Sequence, residues 1–292
     1  MQPHPDQLAA LVAIVERGTF DAAARHLFVT PSAVSQRIRA LESAAGQVLV
    51  RRSTPCVATP AGETLLRLAR QTSLLYDEAR DTLAGSTPSQ VDLPVVVNAD
   101  SLATWFRGVL AEVYGWEGVA LRLRVEDQAF SADLLRSGEV LGAVTSDPRA
   151  VQGCVVERLG TLRYRPAAAP AFAERWRHGR GYDWAQMPMV VFNDKDALQH
   201  DILAERGLSS PPTVHQVPTS ADFHEAVRLG LGWGVIPEPQ LDPDLAAGLL
   251  TTLSSRAHLD VDLHWQRWRL ASPMLDRLTD AVRRAARATL ST

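Results

Sequence analysis

Gln36 and Arg39, with Ser32 and Ser35 about one turn before them, have the types and spacing needed to read a nucleic-acid surface. They lie in Thr30-Pro-Ser-Ala-Val-Ser-Gln-Arg-Ile-Arg-Ala-Leu-Glu42, where Val34, Ile38 and Leu41 recur every three or four residues and predict one buried stripe of a helix. The hydroxyls, the amide and the guanidinium fall on other faces. Gln can bond adenine at two edge atoms, Arg can do the same to guanine, and Ser reaches phosphates or base edges in a major groove. Thr30 suits the N-cap, and Pro31 the first helical position, where a missing N–H costs nothing. Upstream, Thr19 can cap a shorter helix carrying Ala22, Ala23 and Leu27, with Phe28-Val29 as the turn between the two. The pattern predicts a helix-turn-helix with Thr30, Ser32, Ser35, Gln36, Arg37 and Arg39 as candidate DNA contacts. Taken alone, the two helices fit a helical hairpin with a polar outer face equally well.

The flanking elements tilt that balance. Leu8, Leu11, Val12 and Val15 predict a supporting first helix. After Gly46, Val48 to Ala58 reads as two short apolar pieces around a turn at Ser53-Thr-Pro55, a wing whose Arg51 and Arg52 can meet phosphates beside the groove. Thr59-Pro60 opens a long helix to about Leu83. Its Leu65, Leu68, Thr72, Leu75, Ala79 and Leu83 form a coiled-coil-like seam suited to dimerisation, and Gly85-Ser-Thr-Pro-Ser89 reads as a linker.

From Val91 strands and helices alternate, the texture of an α/β domain. Strands are predicted at Leu93–Val97, Leu121–Asp127, Val140–Val144, Met189–Phe192, Val214–Val217, Gly234–Ile236 and His264–Leu270. Helices are predicted from Asn98–Trp105, at Phe130–Ser137 and Phe223–Leu229, and at Leu275–Leu290 as the closing element.

Charge is unevenly placed along the 292 residues. The net formal charge of −3 argues against indiscriminate coating of nucleic acid, but residues 30–52 carry four arginines against one glutamate. Residues 91–292 carry 21 basic and 25 acidic side chains. A basic end on an acidic body suits a protein that touches DNA at one end only. Cys56 and Cys154 lie far apart with no metal-ligand spacing, so neither a disulfide nor a metal is expected. There is no leader-like amino terminus and no apolar run of membrane length, so a cytoplasmic protein is expected. Gly230, Gly232 and Gly234 follow a helix and precede a strand, the reverse of a phosphate-binding turn, so packing is their expected role. His215, His224 and His264 have no paired nucleophile, and no enzyme is expected.

Phe20-x-x-Ala-Ala-x-x-Leu27, Thr30-Pro-Ser-Ala-Val-Ser-Gln-Arg-Ile38, Leu41-Glu42 and Thr59-x-Ala-Gly62 resemble the amino terminus of LysR-type transcriptional regulators. The remainder is similar to their effector domain, two α/β lobes resembling a periplasmic binding protein, and the likeness spans essentially the whole chain. Asn98-Ala-Asp-Ser-Leu-x-Thr-Trp-Phe106, Glu126-Asp127, Arg136-x-Gly-x-Val-x-Gly-Ala-Val144, Gly230-Leu-Gly-Trp-Gly-x-x-Pro-Glu238 and Trp265-Gln-Arg-Trp268 resemble the lysine-export and arginine-responsive group of that family. The resemblance implies a multidomain α+β protein: a winged helix-turn-helix at 1–58, a linker and dimerisation helix with hinge at 59–90, and an effector domain at 91–292. Lobe I would comprise about 91–161 and 266–292, lobe II about 162–265.

It further implies a regulator that senses L-lysine, L-arginine or L-histidine without a cofactor and activates a basic-amino-acid exporter gene. Its implied partners are a double-stranded operator, a second copy in a dimer or tetramer, and RNA polymerase. A different small effector, or a DNA-architectural or replication-control role, remains open. In two-lobed α/β domains ligands sit at carboxyl ends of strands, here Asp100–Trp105, Glu126-Asp127, Thr145–Asp147, Asn193–Asp196 and Thr219–Asp222. Ser101, Thr104, Thr219 and Ser220 can donate to an amino-acid carboxylate, with Thr145 at a further strand end. Asp100, Asp127, Asp147 and Asp222 can meet a cation, or can serve as loop and helix-cap residues. Trp105 and Trp265 can line the pocket or fill the core.

Overall fold

The computed structural model describes residues 2–84, 91–126 and 128–291. Three helices, α1 (Pro5–Arg17), α2 (Phe20–His26) and α3 (Pro31–Ala45), build the amino-terminal body. Each begins on a side chain that accepts from an orphan backbone N–H: the His4 ring, the Thr19 hydroxyl and the Thr30 hydroxyl. Leu8, Leu11, Ile14, Ala23, Val34, Ile38 and Leu41 close a shared core, which fixes α3 with its polar faces outward. Phe28 makes the turn between α2 and α3 at φ 55°, its ring exposed.

The wing pairs β1 (Val50–Arg51) with β2 (Val57–Ala58) antiparallel. Glu42 on α3 holds its entry, accepting from Leu49 N at 2.9 Å and Val50 N at 3.4 Å. Thr59 holds its exit, donating to Val48 O at 2.7 Å and accepting from Gly62 N at 3.1 Å. A Cβ on Gly62 would stand 2.1 Å from the Leu49 carbonyl oxygen, so no larger residue fits there without displacing the wing.

The long helix α4 (Pro60–Ala84) serves two cores. Leu65, Leu66 and Ala69 pack with the amino-terminal body, whereas Leu74 packs with the main core of the effector domain. The expected linker at Gly85–Ser89 lies outside the described residues.

Lobe I opens with β3 (Val91–Val97), α5 (Ala99–Ala103), α6 (Arg107–Val113), β4 (Val119–Val125), α7 (Gln128–Ser137) and β5 (Gly142–Thr145). Then β6 (Cys154–Ala168) crosses into lobe II, where α8 (Pro170–Arg175), β7 (Arg177–His178), β8 (Gly181–Tyr182), β9 (Met189–Val191) and α9 (Leu198–Ala204) follow. β10 (Val214–Gln216), α10 (Ser220–Arg228), β11 (Gly234–Pro237), α11 (Glu238–Ala246) and β12 (Thr251–Thr252) complete that lobe. β13 (Leu259–Trp268) returns, and α12 (Pro273–Thr289) closes lobe I. The sheet runs β11-β6-β13-β5-β3-β4, with β12 also on β6.

No strand is expected between Pro148 and Met189, yet β6 is the longest strand among the described residues. Arg158 and Arg163 interrupt its apolar alternation, because they point to an exposed face and pair across to Asp262 and Asp260 on β13. The short helices α8, α9 and α11 were likewise not anticipated. Trp265 belongs to the core: it is 1% exposed, donates from Nε1 to Thr279 Oγ1 at 3.2 Å, and fills the space that a side chain at Gly142 would need. Gly232 and Gly234 abut the Pro188 carbonyl and the Phe223 ring, which is the packing role expected of them.

Gly62→Ala should therefore destabilise the chain by about 1–3 kcal/mol through overpacking under the wing. Thermal unfolding followed by circular dichroism measures this, and an unchanged midpoint would mean that the wing yields freely.

Candidate nucleic-acid interface and interlobe cavity

Ser32, Gln36 and Arg39 are exposed on α3 and Ser35 is half-buried beside them. The Thr30 hydroxyl caps the helix by accepting from Ala33 N at 3.2 Å, and it lies 2.9 Å from Ser32 Oγ. Arg37 points elsewhere: its guanidinium donates to Asp6 of α1 at 2.9 Å. Arg51 and Arg52 are exposed at the wing, with Arg52 stacked 4.8 Å from the Phe20 ring centroid. An exposed Gln–Arg pair, short hydroxyls and wing arginines together offer base-edge and phosphate contacts on one end of the molecule.

A second feature is a cavity of about 420 Å³ between the lobes. Its wall takes Asn98 and Asp100 from lobe I, Tyr164 and Val261 from β6 and β13, and Phe192, Asn193, Lys195, Asp196, Phe223 and Gln240 from lobe II. The volume suits a small metabolite. Asp100 accepts from Tyr164 Oη and from Ser220 Oγ, both at 3.0 Å, so it links β6 to lobe II across the junction. Burial pushes the Asp100 carboxyl above the usual carboxylate range, the two hydroxyls offset this only in part, and the Asp196 charge adds to it. Burial, with Asp100 beside it, likewise lifts the Tyr164 phenol well above its ordinary value. Asp196 accepts from Phe192 N at 2.9 Å and Leu198 N at 3.2 Å. Lys195, the sole lysine in the sequence, stands next to it on the wall.

The other candidates are placed as follows. Ser101 is fully buried, and its hydroxyl has no hydrogen-bond partner among the described residues. Thr104 donates to the Asp100 carbonyl at 2.6 Å and, with buried Trp105, lines a separate crevice that also takes His224 and Asp244. Thr219 caps α10, accepting from Asp222 N at 3.1 Å and donating to Asp222 Oδ2 at 2.5 Å. Thr145 is buried on β5 and accepts from Asp147 N at 3.1 Å. Hydrogen bonds from Arg149 hold the Asp147 carboxyl down to about 2. Thr145, Asp147, Thr219 and Asp222 are not on the cavity wall, and Asp127 lies outside the described residues. Tyr164 and Gln240 lie outside every segment that the sequence points to, whereas Lys195 and Asp196 lie within the expected strand end Asn193–Asp196. Tyr164 belongs to the unanticipated β6.

Among the described residues no His/Cys/Asp/Glu group is arranged to hold a metal, and no helix is long and apolar enough to cross a membrane.

A model of bacterial regulatory helix-turn-helix proteins of the lysR family matches residues 5–63, and one of the LysR substrate binding domain matches residues 104–287. The lysine export transcriptional regulatory protein LysG of Corynebacterium efficiens is 48% identical over 291 residues, covering 99% of this chain and 100% of that protein. The structure of full-length LysG from Corynebacterium glutamicum with bound effector Arg superposes with a TM-score of 0.84 at 43% identity, over 99% of this chain and 100% of that one. ArgP from Mycobacterium tuberculosis superposes with a TM-score of 0.89 at 46% identity, over 100% of this chain and 99% of that one.

The α3 geometry separates two arginines that sequence alone treats alike. Gln36→Ala and Arg39→Ala should weaken binding to the chain's own upstream DNA by about 1–3 kcal/mol each and to random DNA by much less. Arg37→Ala should leave both nearly unchanged. Electrophoretic mobility shifts with the two DNAs read this, and equal losses on both would reduce α3 to a phosphate grip.

Proposed function

The chain belongs to the LysR family of bacterial helix-turn-helix regulators, and from that premise we propose that a basic amino acid held between its lobes controls its grip on an operator. The observation that carries the proposal is the cavity's charge. When a cation draws the proton from Asp100, its carboxylate and Asp196 stand against Lys195 on the wall, and these three side chains then complement arginine or lysine. The ammonium or guanidinium of the ligand would meet Asp100, and Lys195 would meet its carboxylate. Ser220 takes part through its bond to Asp100, so a ligand that draws on this carboxylate has different contacts in the open and closed arrangements of the lobes. Only such a difference lets binding shift the lobe angle. L-histidine is the third candidate.

The proposal extends to organisation. Residues 1–58 form the DNA-binding unit, 59–90 the linker, and 91–292 the effector domain. Leu68, Leu75 and Leu83 on α4, 40%, 38% and 87% exposed, provide an apolar face for a second copy, giving a dimer or tetramer on paired half-sites. RNA polymerase is the downstream partner, and a gene for basic-amino-acid export the target.

Isothermal calorimetry with L-arginine, L-lysine, L-histidine and L-leucine tests the effector: heat from the basic ligands and none from leucine is expected, and silence from all three basic ligands overturns the reading. Asp100→Asn should weaken arginine binding about 10- to 100-fold, the worth of one charge-assisted contact. The pH dependence has a defined sign. A cation pairs with ionised Asp100, so binding releases the proton that burial retains, and arginine affinity should fall as pH drops through the raised Asp100 pKa. The other groups facing that carboxyl are Asp196 and Tyr164, and Asp100→Asn should flatten the profile.

A further inference from the structure

Arg67, Arg70 and Glu78 are spaced along α4 on a side the coiled-coil pattern ignores, and all three reach into lobe I. Arg67 donates from Nη1 to the Arg136 carbonyl at 3.1 Å, and Arg70 from Nη1 to the Ser137 carbonyl at 2.9 Å. These are the last two carbonyls of α7, the end of a helix that carries partial negative charge and lacks intrahelical partners. Gly138, at φ 71°, terminates α7 there, and a Cβ on it would stand 2.9 Å from Arg67 Cα, so the two backbones meet without room for a side chain. The Arg67 guanidinium also lies 5.5 Å from the centroid of the buried Trp268 ring.

Two turns on, the polarity inverts. Glu78 Oε1 accepts from the Ser272 hydroxyl at 2.5 Å and from Met274 N at 3.2 Å, at the amino end of α12, where partial positive charge gathers. Between these contacts Leu74 enters the effector-domain core. Arg70 also bridges back to the amino-terminal body, its Nη2 standing 3.5 Å from Glu16 on α1.

We propose that Arg67, Arg70 and Glu78 are positioning residues forming a latch that fixes the linker helix to lobe I, so that the DNA-binding unit and lobe I turn as one body. Cations sit on a helix carboxyl end and an anion on a helix amino end, which sets both position and direction of α4. With the latch closed, a change in lobe angle is delivered to α3 as a change of orientation relative to lobe II. With it open, the apolar packing of Leu74 and the chain connection still join the two parts, but nothing directional sets the angle of α4 on lobe I.

The full-length chain tests this with Glu78→Gln, nearly isosteric, and with Arg67→Ala/Arg70→Ala. Amide hydrogen exchange without ligand should speed up by about tenfold or more in the carboxyl half of α4 and the first turn of α12, while the α3 and β13 amides keep their protection. The ratio of operator affinities with and without saturating L-arginine, about five- to 150-fold for coupled sites, should fall to about one, while calorimetry shows unchanged arginine affinity. A merely structural role would lower both operator affinities together and leave the ratio intact. Arg67→Lys/Arg70→Lys keeps the charge and should restore most of the ratio. Unchanged exchange, or a parental ratio in the variants, overturns the latch. The affinity arm rests on the proposed effector; if the parent binds no arginine, that reading fails by itself, and exchange still decides the latch.

Discussion

β6 and β13 pair antiparallel from Tyr164–Leu259 to Cys154–Trp268, and both lobes hang from that ladder. The carboxyl half of β13 continues into lobe I through β5, while the carboxyl half of β6 carries β11 and β12 of lobe II. Each lobe is thus completed by strands it shares with the other. Tyr164 and Val261, on this pair, form the floor of the cavity. The register breaks between Leu263 and His264, close to Gly160, where a side chain would collide with Leu290 and the Ser291 carbonyl. The exposed pairs Arg163–Asp260 and Arg158–Asp262 span the two strands. Being solvated, they contribute little energy, and the backbone ladder carries the connection.

Setting a carboxylate at such a junction has consequences for both stability and capture. A buried carboxyl costs free energy unless donors surround it, and among the described residues the side chains that donate to Asp100 are two neutral hydroxyls. Burial therefore holds back its ionisation. Because Ser220 comes from α10 in lobe II and Asp100 from α5 in lobe I, occupation of the cavity and the angle between the lobes draw on the same carboxylate. The amino-terminal body works with the opposite sign. Arg39, Arg51 and Arg52 are exposed at its tip, while the effector domain carries more acid than base, so duplex is favoured at one end only. α4 joins these two electrostatic worlds by packing in both cores.

Much of the amino-terminal body is legible from sequence because its determinants are local. Thr30 caps the helix that contains Gln36, Glu42 ties down Leu49, and Thr59 meets Gly62, each within a dozen residues. Caps and three- or four-residue periodicity need only the helix itself to exist. The strands of lobe I and the closing α12 are legible for the same reason. β6 is not, because its charged residues Glu157, Arg158 and Arg163 find partners in Arg283, Asp262 and Asp260, about a hundred positions or more further on.

Hydrophobic period and capping chemistry act over a few residues, so the helix-turn-helix, the wing, the linker helix and an alternating α/β remainder can be read along the chain. Which polar groups face which surface depends on contacts between distant segments. Arg37 is drawn to Asp6, 31 residues away, and Asp100 meets Tyr164 and Ser220 from 64 and 120 residues away. Among four aspartates at strand ends, the chain order distinguishes none; Asp100 stands out because folding closes two strands and two lobes around it, and a carboxylate's chemistry is set by what surrounds it rather than by its neighbours in sequence.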